Sequence, residues 1–194
     1  MWQLRSDSPR LARVRPHIAL GALFNLAWIG AVQLGWIVLS LPLILAILAV
    51  LFTALRRLGD APGGRWEAIV LDGVLGAYLG WVTVAAVANA TALAWSFGYR
   101  GEPLGETGYA IAAVLVALLL ALATSLAFAR IAPALASVWA LAWIAVARAG
   151  TDPAIAWAAA AAGLVLLAVG VSAALLRRRS RTDENRTDSA GGRA

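Results

Sequence analysis

The feature that most limits what this chain can fold into is the apolar run from Leu71 to Ser96, LDGVLGAYLGWVTVAAVANATALAWS. A helix needs roughly 20 apolar residues to cross the hydrocarbon core of a bilayer, and this run is long enough. Apart from Asp72 near its start, the run carries no charged side chain. It therefore predicts a membrane-spanning helix on which the rest of the chain is organised.

This helix has two unlike faces when its residues are placed at about 100° per residue. Small residues that allow a neighbouring helix to approach closely occupy one face: Gly76, Gly80 and Thr83. Nearly opposite lie a phenol, an indole, a methyl group and an amide: Tyr78, Trp81, Ala85 and Asn89. An unpartnered amide is costly in hydrocarbon, so this second face should point into the bundle or a cavity. Either these side chains bind a ligand, or they only fasten helices together and fill space.

The composition supports a membrane protein of one domain. Over 194 residues, 62% are hydrophobic and only 13% are charged, which is far from the usage of ordinary globular proteins. The absence of cysteine excludes disulfides and thiolate sites, and the single His17 does not favour a metal site. We expect no cofactor.

Hydropathy and breaker residues predict an all-α, polytopic transmembrane helix bundle of about six helices. Aqueous loops are marked by clusters of Gly, Pro and charge, as in RRLGDAPGGRWE at 56–67. We expect a polar, Arg-rich segment at 1–16 and a disordered tail at 177–194, which has almost no apolar residues. The six predicted spans are 17–34, 41–55, 69–96, 109–129, 131–147 and 153–176.

The arginines predict the orientation of the bundle. All sixteen basic residues are Arg, and with six crossings fourteen of them lie on the side of the two termini, against only Arg100 and Arg148 on the other. Positive charge is retained in the cytoplasm, so we expect a multi-pass protein of the cell membrane with both termini cytoplasmic. The charge therefore does not indicate a nucleic-acid partner.

Motifs of familiar enzymes are missing from the sequence. It has no HExxH, GxSxG, Walker or dinucleotide-binding pattern, which favours a protein that is not an enzyme. The acidic residue next to a membrane segment, Asp72, is expected to complement the start of its helix as a capping residue, with a proton relay as the alternative. An intramembrane lipid hydrolase stays as a remote third possibility beside a ligand-binding protein and a structural subunit.

Two stretches resemble a known family. YLGWVTVAAVAN, with Tyr78, Trp81, Val82, Ala85 and Asn89, resembles a helix signature of the TspO/MBR family, the tryptophan-rich sensory or translocator proteins. Upstream, FNLAWI resembles the family's Asn-x-x-Trp helix, with Asn25 and Trp28 in the matching places. Residues 3–11 resemble the joint that precedes that helix in longer members, so a further apolar helix is expected to be encoded upstream.

The resemblance implies a function as well as a fold. It suggests that a tetrapyrrole or another hydrophobic small molecule binds between the helices, in a transport, sensing or stress-response role. The ligand-binding residues carried over are Asn25, Trp28, Tyr78, Trp81, Ala85 and Asn89. Membrane lipid is the other expected partner, and a homodimer is allowed. The alternative is a structural or partner-binding membrane subunit without a small-molecule ligand.

Overall fold

The structure, a computed structural model, describes residues 9–59, 67–128 and 130–191, and gives only the backbone for residue 68 and for residues 177–191. The described residues form helices and connecting turns without a strand, which confirms the predicted all-α fold. Helix α3 begins with a π-helical turn, Ala68–Gly73, that continues into Val74–Ser96. The other helices are α1 (Pro9–Gln33), α2 (Ile37–Leu58), α4 (Gly105–Phe128), α5 (Ile131–Arg148) and α6 (Pro153–Gly191).

Five helices in the described part of the chain are long and apolar enough to cross a membrane: Ile37–Leu58, Ile69–Ser96, Gly105–Phe128, Ile131–Arg148 and Pro153–Leu176. The polytopic bundle predicted from hydropathy is therefore confirmed. Helix α1 is long enough but less apolar, because it contains polar residues such as His17, Asn25 and Gln33. A sixth crossing by α1 stays a prediction.

The largest differences from the helix boundaries expected from the sequence are at the start of α1 and the end of α6, while the bounds of α2 and the start of α4 differ by three or four residues. Helix α1 begins at Pro9, whereas the predicted span began at residue 17. The physical reason is that Leu11 and Val14 stand three residues apart on one face and are completely buried, so the helix gains by including them despite Pro16. At the other end, the backbone of α6 stays helical to Gly191, beyond the predicted end at 176 and into the predicted disordered tail.

Helix α3 is the centre of the bundle. On one side α2 packs between α1 and α3, and on the other side α3 packs against α4 and α5, with α6 completing a group of four helices. One buried cluster is built mainly by α1, α2 and α3, with Ile47 and Leu51 as its members near the middle of α2. A second buried cluster joins α4, α5 and α6. The residues of α3 therefore face two different environments.

Helices α3 and α5 approach each other closely because α3 presents glycine there. A Cβ atom on Gly80 would lie 2.8 Å from Pro133 Cα and would overlap the Pro133 carbonyl oxygen. At Gly76 the same atom would come within 3.1 Å of Pro133 Cδ. The contact is also fastened by a buried hydrogen bond of 2.9 Å from Ser137 Oγ to Gly80 O. The small-residue face predicted from the sequence is the packing face.

A charged cluster ties four helix ends together at the end of the bundle where α1 and α3 begin. Arg10 Nη2 donates to Asp72 Oδ1 at 3.1 Å, and Arg130, which precedes α5, forms a second ion pair with Asp72. Arg130 Nη2 also donates to Gly59 O at the end of α2, at 2.9 Å, and Glu67 lies 3.6 Å from Arg10. The carboxylate of Asp72 is thus engaged in ion pairs with two arginines, which the sequence did not predict.

Candidate ligand-binding site

The two motif residues of α1, Asn25 and Trp28, are both half-buried. Trp28 packs against the cluster shared by α1, α2 and α3, and its indole nitrogen is buried without a hydrogen-bond partner among the described residues. Asn25 is half-buried, and its amide makes no hydrogen bond with a described residue. A buried donor without an acceptor costs free energy, so this region has unused hydrogen-bonding capacity.

The α3 residues of the signature divide into three environments. Tyr78 and Ala85 are half-buried and pack against the same cluster as Trp28. Trp81, one turn away, is 46% exposed. The Oδ1 atom of Asn89 lies 3.1 Å from the Oγ atom of Ser40, a buried residue of α2 whose hydroxyl also lies 2.7 Å from Ile37 O. The structure therefore brings Trp28, Tyr78 and Ala85 to one cluster and ties Asn89 to α2.

Helices α1 and α3 lie on either side of α2. Both helices pack on α2, and they make little direct contact with each other. Trp28 and Asn25 stand on the α1 side, and Tyr78, Trp81 and Ala85 on the α3 side. The ion pair between Arg10 and Asp72 bridges the two helices at one end. We call this region the α1–α3 groove.

A cavity lies on the other side of α3, which faces α4, α5 and α6. Its volume is about 830 Å³, and none of the six predicted site residues lines it. Its contacts with α3 follow a stripe at helical spacing, Val84, Ala88, Thr91 and Trp95. That stripe of mostly small residues ending in an indole is the signal by which the sequence indicates this cavity, and the family motifs do not include it.

Comparison with known proteins decides the family. The family model for TSPO-like proteins matches residues 1–172 of the chain. This chain belongs to the TSPO-like protein family. No curated protein and no solved structure gives a significant match to it.

Both motifs that carried the resemblance lie within the matched part of this TSPO-like protein. Among the motif residues, Trp28, Tyr78 and Ala85 pack against one cluster, and the indole N–H of Trp28 and the amide of Asn25 are not engaged by described residues. That combination is what an apolar, flat ligand with a few polar atoms requires. Among the described residues, no three His, Asp or Glu side chains gather in a way that could hold a metal ion.

Proposed function

We propose that this TSPO-like membrane protein binds a flat hydrophobic molecule, such as a tetrapyrrole, in the α1–α3 groove, and acts in sensing or transport without catalysing a reaction. The observation that carries the proposal is the indole N–H of Trp28, which is buried and unpartnered in the described structure beside the cluster that holds Tyr78 and Ala85. A ligand acceptor at this position would remove the cost of the unused donor.

The aromatic surface of the groove supports the same proposal. Trp81 is 46% exposed, so its ring is available to stack on a ligand instead of being consumed in the core. Asn25 supplies an amide that can donate or accept, which allows a ligand with either kind of polar atom. We propose that membrane lipid surrounds the protein and competes with the ligand for the groove.

The test is a porphyrin titration of the detergent-solubilised protein, read by tryptophan fluorescence, with thermal melting measured on the same samples. Trp81→Leu should weaken binding by about 2 kcal/mol, or roughly 30-fold, as for a buried aromatic anchor. Trp28→Phe keeps an aromatic ring but loses the N–H and part of the ring surface, so binding should weaken at least roughly 2- to 10-fold, the net value of one hydrogen bond. The matched control is Trp139→Phe, on an exposed part of α5.

Melting separates ligand binding from packing. Trp28→Phe removes an unpartnered buried donor but also part of a packed ring, and because these two effects oppose each other its melting temperature should stay close to that of the parent. If porphyrin binding by Trp28→Phe and Trp81→Leu matches that of the parent and of Trp139→Phe, the groove is not the ligand site.

A structural membrane subunit is the second candidate, and one observation favours it. The contact between Ser40 and Asn89 joins α2 to α3, which is the helix-fastening role that an intramembrane amide often has. In that case Asn89→Leu lowers the melting temperature, and no variant of the groove changes binding of a small molecule. A homodimer is compatible with either candidate, and chemical crosslinking in membranes would detect it.

A further inference from the structure

The cavity on the opposite side of α3 has the dimensions of a ligand site of its own. Its volume of about 830 Å³ lies within the range of roughly 300–1,000 Å³ that is typical of pockets for small organic molecules. It is separate from the α1–α3 groove, because α3 itself lies between the two. Anything bound there would contact α4, α5 and α6.

The walls of this cavity are apolar and built largely from small residues. Val84, Ala117 and Ala140 form a buried cluster between α3, α4 and α5, and the first two of them line the cavity. Ala110 and Ala113 of α4 leave space where larger residues would fill it. These walls fit an aliphatic chain.

Polar and aromatic residues surround the end of the cavity where α4 and α6 begin. Asp152 is already engaged, since it accepts hydrogen bonds from Thr107 Oγ1 and, at 3.3 Å, from the backbone N–H of Ile155. Glu106 and Arg148 are exposed, and neither side chain makes a hydrogen bond or an ion pair with a described residue. The rim thus offers the negative charge of Glu106 and the positive charge of Arg148, which lies near the Asp152 carboxylate, with Trp95 beside them.

We propose that this cavity binds a zwitterionic single-chain amphiphile, whose head carries one ammonium and one phosphate group. Its apolar chain lies along the alanine-rich walls, Glu106 pairs with the ammonium group, and Arg148 pairs with the phosphate, which guanidinium groups bind well. The volume is that of a drug-sized ligand, which favours one chain over the two chains of a bilayer phospholipid.

The experiment uses the full chain in a nonionic detergent and a single-chain lysophospholipid with a brominated chain, which quenches tryptophan fluorescence on contact. Trp95 is the reporter at the rim, and Trp95→Phe should remove much of the quenching. The same brominated chain is titrated with a phosphocholine head, with an anionic phosphoglycerol head and with a cationic trimethylammonium head. We expect saturable quenching at the lowest concentration with the zwitterionic head.

The head assignment is tested by two charge variants. Glu106→Gln should raise the half-quenching concentration roughly two- to fivefold for the zwitterionic and cationic amphiphiles and leave the anionic one unchanged, as for an exposed ion pair. Arg148→Gln should weaken binding of the zwitterionic and anionic amphiphiles and leave binding of the cationic amphiphile unchanged. An anionic amphiphile, or a brominated two-chain phosphocholine lipid, that binds as tightly as the zwitterionic single chain would overturn the assignment.

The cavity itself is tested by filling it. Ala113→Leu should abolish the saturable quenching, whereas Ala123→Leu, an exposed position on the same helix, should not. Melting temperatures establish that both variants fold. Equal quenching of Ala113→Leu and Ala123→Leu would exclude this cavity as the site, whatever the outcome of the porphyrin titration at the α1–α3 groove.

Discussion

Gly80 shows how a single residue fixes the contact between α3 and α5. Its Cα faces the backbone of Pro133, and its carbonyl oxygen accepts the hydrogen bond of Ser137, so the two helices meet through main-chain atoms. Without water in the bilayer, close packing of this kind is a principal source of attraction between helices. The position thus has room for no side chain at all.

We therefore expect Gly80→Ala to disrupt the bundle although alanine favours helix formation. The added Cβ would lie 2.8 Å from Pro133 Cα, and backbone atoms cannot move aside as a flexible side chain can. The cost should be about 1–3 kcal/mol or more, seen as a lower melting temperature in detergent. Gly30→Ala is the control, because a Cβ there meets nothing within 4 Å and the variant should melt at or above the parent temperature. Equal melting of the two variants would contradict the close approach.

At the scale of helices, the charged cluster around Asp72 joins the starts of α1, α3 and α5 to the end of α2. Asp72 on α3 has a side chain only 17% exposed and pairs with Arg10 at the start of α1 and with Arg130 before α5. Burying a charged side chain costs free energy unless an opposite charge and hydrogen bonds compensate for the lost water. The cluster therefore fixes the first turns of α1, α3 and α5 relative to one another.

Asp72→Asn should loosen this end of the bundle. The variant keeps the shape of the side chain but leaves two guanidinium groups near each other with one carboxylate fewer, and we expect a loss of about 1–3 kcal/mol in stability. The matched control is Glu106→Gln, which removes an exposed acid without a partner among the described residues. A melting temperature of Asp72→Asn equal to that of Glu106→Gln would show that the ion pairs contribute nothing.

Asp152 makes the stability of the start of α6 depend on pH. Its hydrogen bond from Thr107, followed by those from the backbone at the start of α6 and the nearby charge of Arg148, lowers the pKa of its carboxyl below the ordinary value of 3.8. A lowered pKa means that the folded state favours the carboxylate, so the stabilisation is complete above pH 3.8 and is lost as the pH falls through the folded pKa. Melting of Asp152→Ala should lie below the parent at neutral pH, and the difference should narrow below pH 3.8. A difference that is constant with pH would contradict this role.

The sequence predicted the helices of this molecule better than it predicted their polar contacts. Length and hydropathy located α3 and its glycine face, because both follow from local residue order. The pairing of Asp72 with Arg10 joins residues 62 positions apart, and no local pattern indicates such a contact. The same holds for Ser40 and Asn89, which are 49 positions apart. The stripe on α3 that ends at Trp95 is visible in the sequence, but it indicates a cavity only when the four helices around it are known.

For the whole molecule, the contacts at the two ends define an up-and-down bundle. Helices α1, α3 and α5 begin, and α2 ends, at the charged cluster around Asp72. Helices α4 and α6 begin at the other end, where Thr107 bonds to Asp152. Because successive helices alternate in direction, the bundle places the start of α1 and the apolar end of α6 on the same side. The arginine distribution then favours the cytoplasm for that side.

Reporter fusions test this topology directly. We expect green fluorescent protein joined after Leu176 to fluoresce, and alkaline phosphatase inserted in the 98–104 turn between α3 and α4 to be active, since phosphatase requires the oxidising outer side. A fluorescent protein joined before Met1 should also fluoresce, which tests whether α1, the least apolar helix, makes the sixth crossing. If the fusion at Met1 is dark while the fusion after Leu176 fluoresces, α1 does not cross and the membrane contains five spans. If phosphatase is active after Leu176, the whole bundle is inverted, and the two arginines of the α4 side, Arg100 and Arg148, face the cytoplasm instead.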